Sequence, residues 1–114
     1  MVTEIDRDEL KQRLDHPKKF VLLEALPEES YRRAHLPGAT NLPPDQVRAL
    51  APELVPRKDF EVIVYCASAT CHASDDVARE LSEMGYSSVR RYVGGKEDWI
   101  KAGLPIVGED RLAA

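Results

Sequence analysis

Apolar residues recur along this chain in two patterns. Phe20-Val21-Leu22-Leu23 and Val62-Ile63-Val64-Tyr65 are unbroken apolar runs, whereas other stretches repeat apolar residues every three or four positions. The first pattern fits strands buried on both faces and the second fits helices with one buried face. A helix is expected from about Asp6 to Asp15. Asp6 with Glu9 resembles a capping box, Leu10 and Leu14 share a face, and Pro17 bars continuation. Pro27-Glu28-Glu29 suits the first turn of a short helix reaching about Arg33. Leu36 to Ala39 reads as a turn, and Pro43-Pro44 favours irregular, extended backbone. Asp45 to Leu54 is expected as one or two short helical turns interrupted at Pro52. A longer helix is expected over Asp75 to Met84, stopped by Gly85. Then come a strand from Ser88 to Val93, a flexible Gly94-Gly95 turn and a short helix at Glu97 to Ile100 closed by Gly103. Strands alternating with helices predict a three-layer α/β architecture whose mainly parallel sheet has helices on both faces. The length is that of one domain, expected over residues 1–114.

Composition narrows the function classes. With 43% apolar residues the chain can build a core unaided, and its two cysteines, separated by four residues, cannot brace distant segments. Twenty acidic against 16 basic residues in mixed order give a net charge of −4, without the basic stripe of a nucleic-acid binder. Arg90-Arg91 is too short to alter that. No run approaches the ~18 apolar residues of a membrane span, and the first residues lack the pattern of a secretory signal. A cytoplasmic location, with neither membrane nor nucleic acid as partner, is the expectation.

Chemistry concentrates between Glu61 and Ser74. The buried strand runs straight into Cys66, and a loop of small residues leads to the next helix. Cys66 is therefore expected at the carboxyl end of a central strand, facing a helix start. Ligand sites of open α/β sheets lie there, and unpaired amides at a helix start favour an anion such as a thiolate. An unperturbed thiol has a pKa of about 8.5, and the helix start is expected to lower that of Cys66.

Three segments resemble the rhodanese-like sulfurtransferase family. They are Val21-Leu22-Leu23-Glu24 followed by His35-Leu36-Pro37-Gly38-Ala39-Thr40-Asn41-Leu42-Pro43, then Tyr65-Cys66 with its loop, then Gly85-Tyr86, Gly94-Gly95, Trp99 and Ala102-Gly103-Leu104-Pro105. The resemblance implies a five-stranded, mainly parallel sheet and a catalytic cysteine at Cys66. It further implies a substrate-binding loop of Ala67, Ser68, Ala69, Thr70, Cys71 and His72 whose amides cradle the sulfur. Two departures stand out. Many members carry an aspartate and an arginine where this chain has Glu24-Ala25-Leu26, and basic residues where it has Ala67 and Cys71. Binding of a dianion such as thiosulfate would then rest on amides and the hydroxyls of Ser68 and Thr70.

The leading expectation is a sulfurtransferase or persulfide carrier. A small sulfane-sulfur donor would load Cys66, a thiol or protein acceptor would unload it, and no cofactor would be required. Alternatives are a thiol redox protein cycling a Cys66–Cys71 disulfide and a non-catalytic interaction module. Phosphatase chemistry is disfavoured because the loop has no arginine. Cys71 is open between a resolving thiol and a packing thiol. Metal binding by Cys66, Cys71 and His72 is disfavoured because zinc sites draw ligands from two clusters, so no metal is expected. His35 reads as a support for its turn, and Trp99 as a core anchor.

Overall fold

The computed structural model describes residues 2–15 and 20–109. The expected stop at Pro17 lies outside them. The strands are β1 (Val2–Ile5), β2 (Phe20–Glu24), β3 (Thr40–Asn41), β4 (Glu61–Tyr65) and β5 (Ser88–Tyr92). The helices are α1 (Arg7–Asp15), α2 (Glu28–Arg33), α3 (Val47–Leu54), α4 (Ala73–Glu83) and α5 (Gly95–Lys101). All strands pair in parallel, in the order β1-β5-β4-β2-β3. The two unbroken apolar runs thus supply β2 and β4, flanked on both edges, as strands buried on both faces must be.

Alternate residues face opposite layers. Leu23, Val62, Val64 and Val89 pack with Val47 and Ala51 of α3 and with Val77, Ala78 and Leu81 of α4. Leu22, Ile63, Tyr65 and Tyr92 pack on the other face with Leu10 of α1 and Trp99 of α5. Trp99 is an anchor: its indole Nε1 donates to the Pro105 carbonyl at 2.7 Å, and its ring meets Tyr92 edge-on.

Four local features differ from the pattern-based expectation. β1, an edge strand of four residues, has too little apolar content to announce itself. Helix α3 runs through Pro52 after a 3-10 turn at Pro44–Gln46. Burial of Val47 and Ala51 outweighs the missing amide, and the Tyr86 hydroxyl, 3.1 Å from the Ala51 carbonyl and 2.7 Å from that of Val55, anchors the helix end. Helix α4 starts at Ala73 rather than Asp75, which brings Ser74 into its first turn. Gly95, instead of lying in a loose turn, is the first residue of α5.

Candidate active site

Cys66 is the first residue past β4. Pleat alternation sends Tyr65 to the α1/α5 layer and Cys66 toward α4, so a strand of fixed register aims the sulfur at a helix start. Cys66 is 1% exposed. Its sulfur lies 3.3 Å from the Ser74 hydroxyl oxygen, 3.4 Å from the Cys71 carbonyl and 4.0 Å from that of Ser68. The loop closes on itself where the Cys71 amide donates to the Ser68 carbonyl at 3.1 Å.

The start of α5 holds the loop from the other side. The amides of Lys96 and Glu97 donate to the carbonyls of Cys66 and Ala67, each at 2.8 Å. In a planar trans peptide the carbonyl and the following N–H point in opposite directions, so this grip turns the amides of Ala67 and Ser68 away from α5. Gly95 permits it: its φ is +72°, and a Cβ there would come within 2.7 Å of the Cys66 carbonyl oxygen and 2.8 Å of the Ser68 nitrogen.

Helix α5 is itself pinned to β2. Lys96 Nζ lies 3.1 Å from Glu24 Oε1 and donates to the Ser30 carbonyl at 3.2 Å, while the Tyr65 hydroxyl donates to Glu24 Oε2 at 2.6 Å. Glu24 is fully buried. Tyr65 accepts from the Leu36 amide at 3.0 Å, and burial together with Glu24 pushes its phenol well above the usual range. A buried carboxylate needs such partners, because removing either charge leaves the other desolvated and alone. Glu24, Lys96 and Tyr65 therefore provide polar support at the end of β2.

The two thiols share one environment. Burial first, and then the hydrogen bond with Cys71, push Cys66 above its ordinary value, while the Ser74 hydroxyl and amide pull it down. Burial also opposes ionisation of Cys71, but the bond from Cys66 and the amides of Ala73, Ala67 and Ser74 outweigh it and hold Cys71 below the ordinary value. The lowering anticipated for Cys66 falls instead on its neighbour.

Of the other loop residues, Ala67, Ala69, Thr70 and His72 are exposed. Ser68 Oγ and Thr70 Oγ1 lie 3.0 Å apart and satisfy each other. His72 is the N-cap of α4, and its carbonyl accepts from the Asp76 amide. His35 stacks on Tyr31 with ring centroids 3.9 Å apart, places Nδ1 2.7 Å from the Tyr31 carbonyl, and bridges to Val107 through its backbone. Ser74 and Arg91 join the site without a local sequence motif to mark them. Ser74 is 1% exposed, and the Arg91 Nε donates to its hydroxyl at 3.1 Å. The readable signal was alternation in Val89-Arg90-Arg91-Tyr92, which puts Arg91 on the α4 side with Val89. Among the described residues no group of three or more His, Cys, Asp or Glu is placed to hold a metal, and no helix is long and apolar enough to cross a membrane.

A buried thiol at the carboxyl end of the central parallel strand, enclosed by a short loop between two helix starts, is the arrangement of a cysteine-centred α/β domain. Residues 6–102 match the family model described as rhodanese-like domain. A protein of Allochromatium vinosum named sulfurtransferase is 31% identical over 110 residues, which are 96% of this chain and 99% of that protein. Thiosulfate sulfurtransferase PspE of Escherichia coli is 37% identical over 70 residues, 61% of this chain and 64% of that protein. Two further curated relatives are longer, and the chain spans about half the length of each. Among solved structures, the rhodanese-like domain of the Anabaena protein Alr3790 superposes with a TM-score of 0.86 over 100% of this chain and 85% of that one, at 24% identity. The chain belongs to the rhodanese-like domain family.

Proposed function

We infer that the protein is a sulfurtransferase that carries sulfane sulfur as a persulfide on Cys66. The observation that supports this most is the seating of the Cys66 sulfur at the end of β4, within 3.3 Å of Ser74 in the first turn of α4. The Cys66 thiolate attacks the outer sulfur of a donor, whose sulfur–sulfur bond breaks, and the leaving group departs with the bonding electrons. The sulfur stays on Cys66. An acceptor thiolate then attacks that outer sulfur and returns Cys66 to the thiolate. Ala67 and Ser68 supply amides, and the exposed side of the loop, Ala69 to His72, meets donor and acceptor.

Intact-mass spectrometry after exposure to thiosulfate, a thiosulfonate and a polysulfide tests the reading. Wild type gains sulfur from at least one donor, whereas Cys66→Ser gains none and keeps its fold, because the change is small and local. Sulfur loading of Cys66→Ser excludes Cys66 as the carrier. No loading of wild type by any donor leaves the non-catalytic interaction module in place.

The return of the loop toward Cys66, which sets the Cys71 carbonyl 3.4 Å from the Cys66 sulfur, favours a second reading, in which Cys71 resolves the persulfide. Its thiolate attacks the inner Cys66 sulfur, a Cys66–Cys71 disulfide forms, and hydrosulfide leaves with the electron pair. The sulfane sulfur is thereby reduced at the expense of the two thiols, and a small thiol reductant resets the disulfide. Cys71→Ser then lengthens the persulfide lifetime and abolishes the disulfide while leaving the initial uptake intact. Equal lifetimes, with no disulfide under mild oxidation, return Cys71 to packing.

A further inference from the structure

The loop from Cys66 to His72 carries no lysine or arginine, yet a cation stands one hydroxyl away from the sulfur. We propose that Arg91, acting through Ser74, is a positioning residue that stabilises negative charge on the Cys66 sulfur, supplying from β5 the cation the loop lacks.

The register produces the arrangement. Arg91 lies opposite Val64, two residues before Cys66, so Val64, Cys66 and Arg91 project to the same layer, that of α4. From there the guanidinium reaches the first turn of α4, where its Nε–H donates to Ser74 Oγ. A hydroxyl has one proton and two lone pairs and rotates to suit its partners. With Arg91 on one lone pair, the Ser74 oxygen accepts the S–H of neutral Cys66 on the other. Once Cys66 is ionised the hydroxyl turns and donates to the sulfur, and the guanidinium polarises that bond. Charge-assisted bonds of this kind are roughly twice as strong as neutral ones. Neighbouring Arg90 is committed to Glu9 and Glu61 and Lys96 to Glu24, whereas among the described residues Arg91 forms no ion pair.

The remaining groups around the pair are few. Cys71 faces the sulfur from the loop. His72 and Asp75 are exposed, Asp76 is tied to Arg79, and Glu4 of β1 is the register partner of Arg91 and is exposed. The placement bears on substrate class. A half-buried cation behind the sulfur favours the single negative charge of a thiolate or persulfide, but it offers no arm to a dianionic donor at the mouth.

The test needs no sulfur donor, so its failure is distinct from failure of the sulfurtransferase reading. The pH dependence of Cys66 alkylation by iodoacetamide is measured in the full chain carrying Cys71→Ser, with melting curves and circular dichroism as fold controls. Arg91→Met and Ser74→Ala each raise the midpoint by about half a unit to one unit, a roughly three- to tenfold loss of thiolate at pH 7. Arg91→Lys, which keeps the charge, recovers at least half of that shift. The double variant Ser74→Ala/Arg91→Met shows no more than Ser74→Ala alone, since Arg91 acts through the hydroxyl. An unchanged midpoint in folded Arg91→Met, or additive shifts in the double variant, overturns the proposal. Should Arg91→Met not fold, Arg91→Gln against Arg91→Lys makes the same comparison, and equal midpoints overturn it.

Discussion

Replacing Gly95 by alanine isolates how tightly α5 grips the sulfur-bearing loop, because Gly103 serves as a matched control. Their φ angles are +72° and +75°, so an alanine meets similar backbone strain at either site, about 1–2 kcal/mol. They differ in surroundings. A Cβ at Gly103 has nothing within 4 Å, whereas at Gly95 it falls 2.7 Å from the Cys66 oxygen, 2.8 Å from the Ser68 nitrogen and 3.0 Å from the Ala67 carbonyl carbon. Against an ordinary contact near 3.5 Å these approaches are about 0.5–0.8 Å too close. All three atoms are backbone, so no side chain can rotate away. Either the loop shifts or α5 lifts, and the bonds from Lys96 and Glu97 to the loop carbonyls stretch. At about 1 kcal/mol net for each bond, Gly95→Ala loses about 2 kcal/mol more than Gly103→Ala. For a chain of this length that difference lowers the melting temperature by about 8 °C, at roughly 2.1 cal/mol/K per residue. Urea unfolding followed by fluorescence of the buried Trp99 measures the stability, and sulfur loading of Cys66 measures the loop. Loading falls in Gly95→Ala and is retained in Gly103→Ala. Equal stability losses in the two variants would refute the steric argument.

Two further outcomes concern the thiols. Cys71 is held below its ordinary value by the amides around it and Cys66 is pushed above by burial, so as pH rises Cys71 becomes the thiolate first. Limited iodoacetamide treatment at pH 7 therefore labels Cys71 ahead of Cys66 on peptide mapping, and the reverse order contradicts the charge distribution. With no basic side chain in the loop, thiosulfate loads Cys66 more slowly than an uncharged sulfane donor, and Cys71→Arg narrows the gap. A strong wild-type preference for thiosulfate would show that a cation reaches the mouth.

Local sequence revealed what local sequence controls. The unbroken run Val62 to Tyr65 identified the central strand, and the residue after it had to emerge at a carboxyl end, so the position of Cys66 was legible. The partners of Cys66 were not. Ser74 read as flanking a helix expected to start at Asp75, and only the observed start at Ala73 brings it under the sulfur. Arg91 meets Ser74 because β5 pairs with β4 in a specific register, and Lys96 meets Glu24 across the fold. No window of neighbouring residues encodes either pairing. At Pro52 a sound local rule lost to burial of Val47 and Ala51, and β1 escaped notice because an edge strand needs little apolar content.

The hydrogen bonds from the start of α5 to the Cys66 and Ala67 carbonyls also set the order in which the site is completed. During synthesis Cys66 leaves the ribosome well before Lys96 and Glu97, so β4 and the thiol exist for a time without the amides that fix the loop. Chains that fold as they emerge acquire late contacts last. Fraying of the first turn of α5 in the finished protein releases the loop while Trp99 stays packed against the sheet. Amide hydrogen exchange should register this as matched opening free energies for the Lys96 and Glu97 amides and the Cys71 amide, all below those of β4.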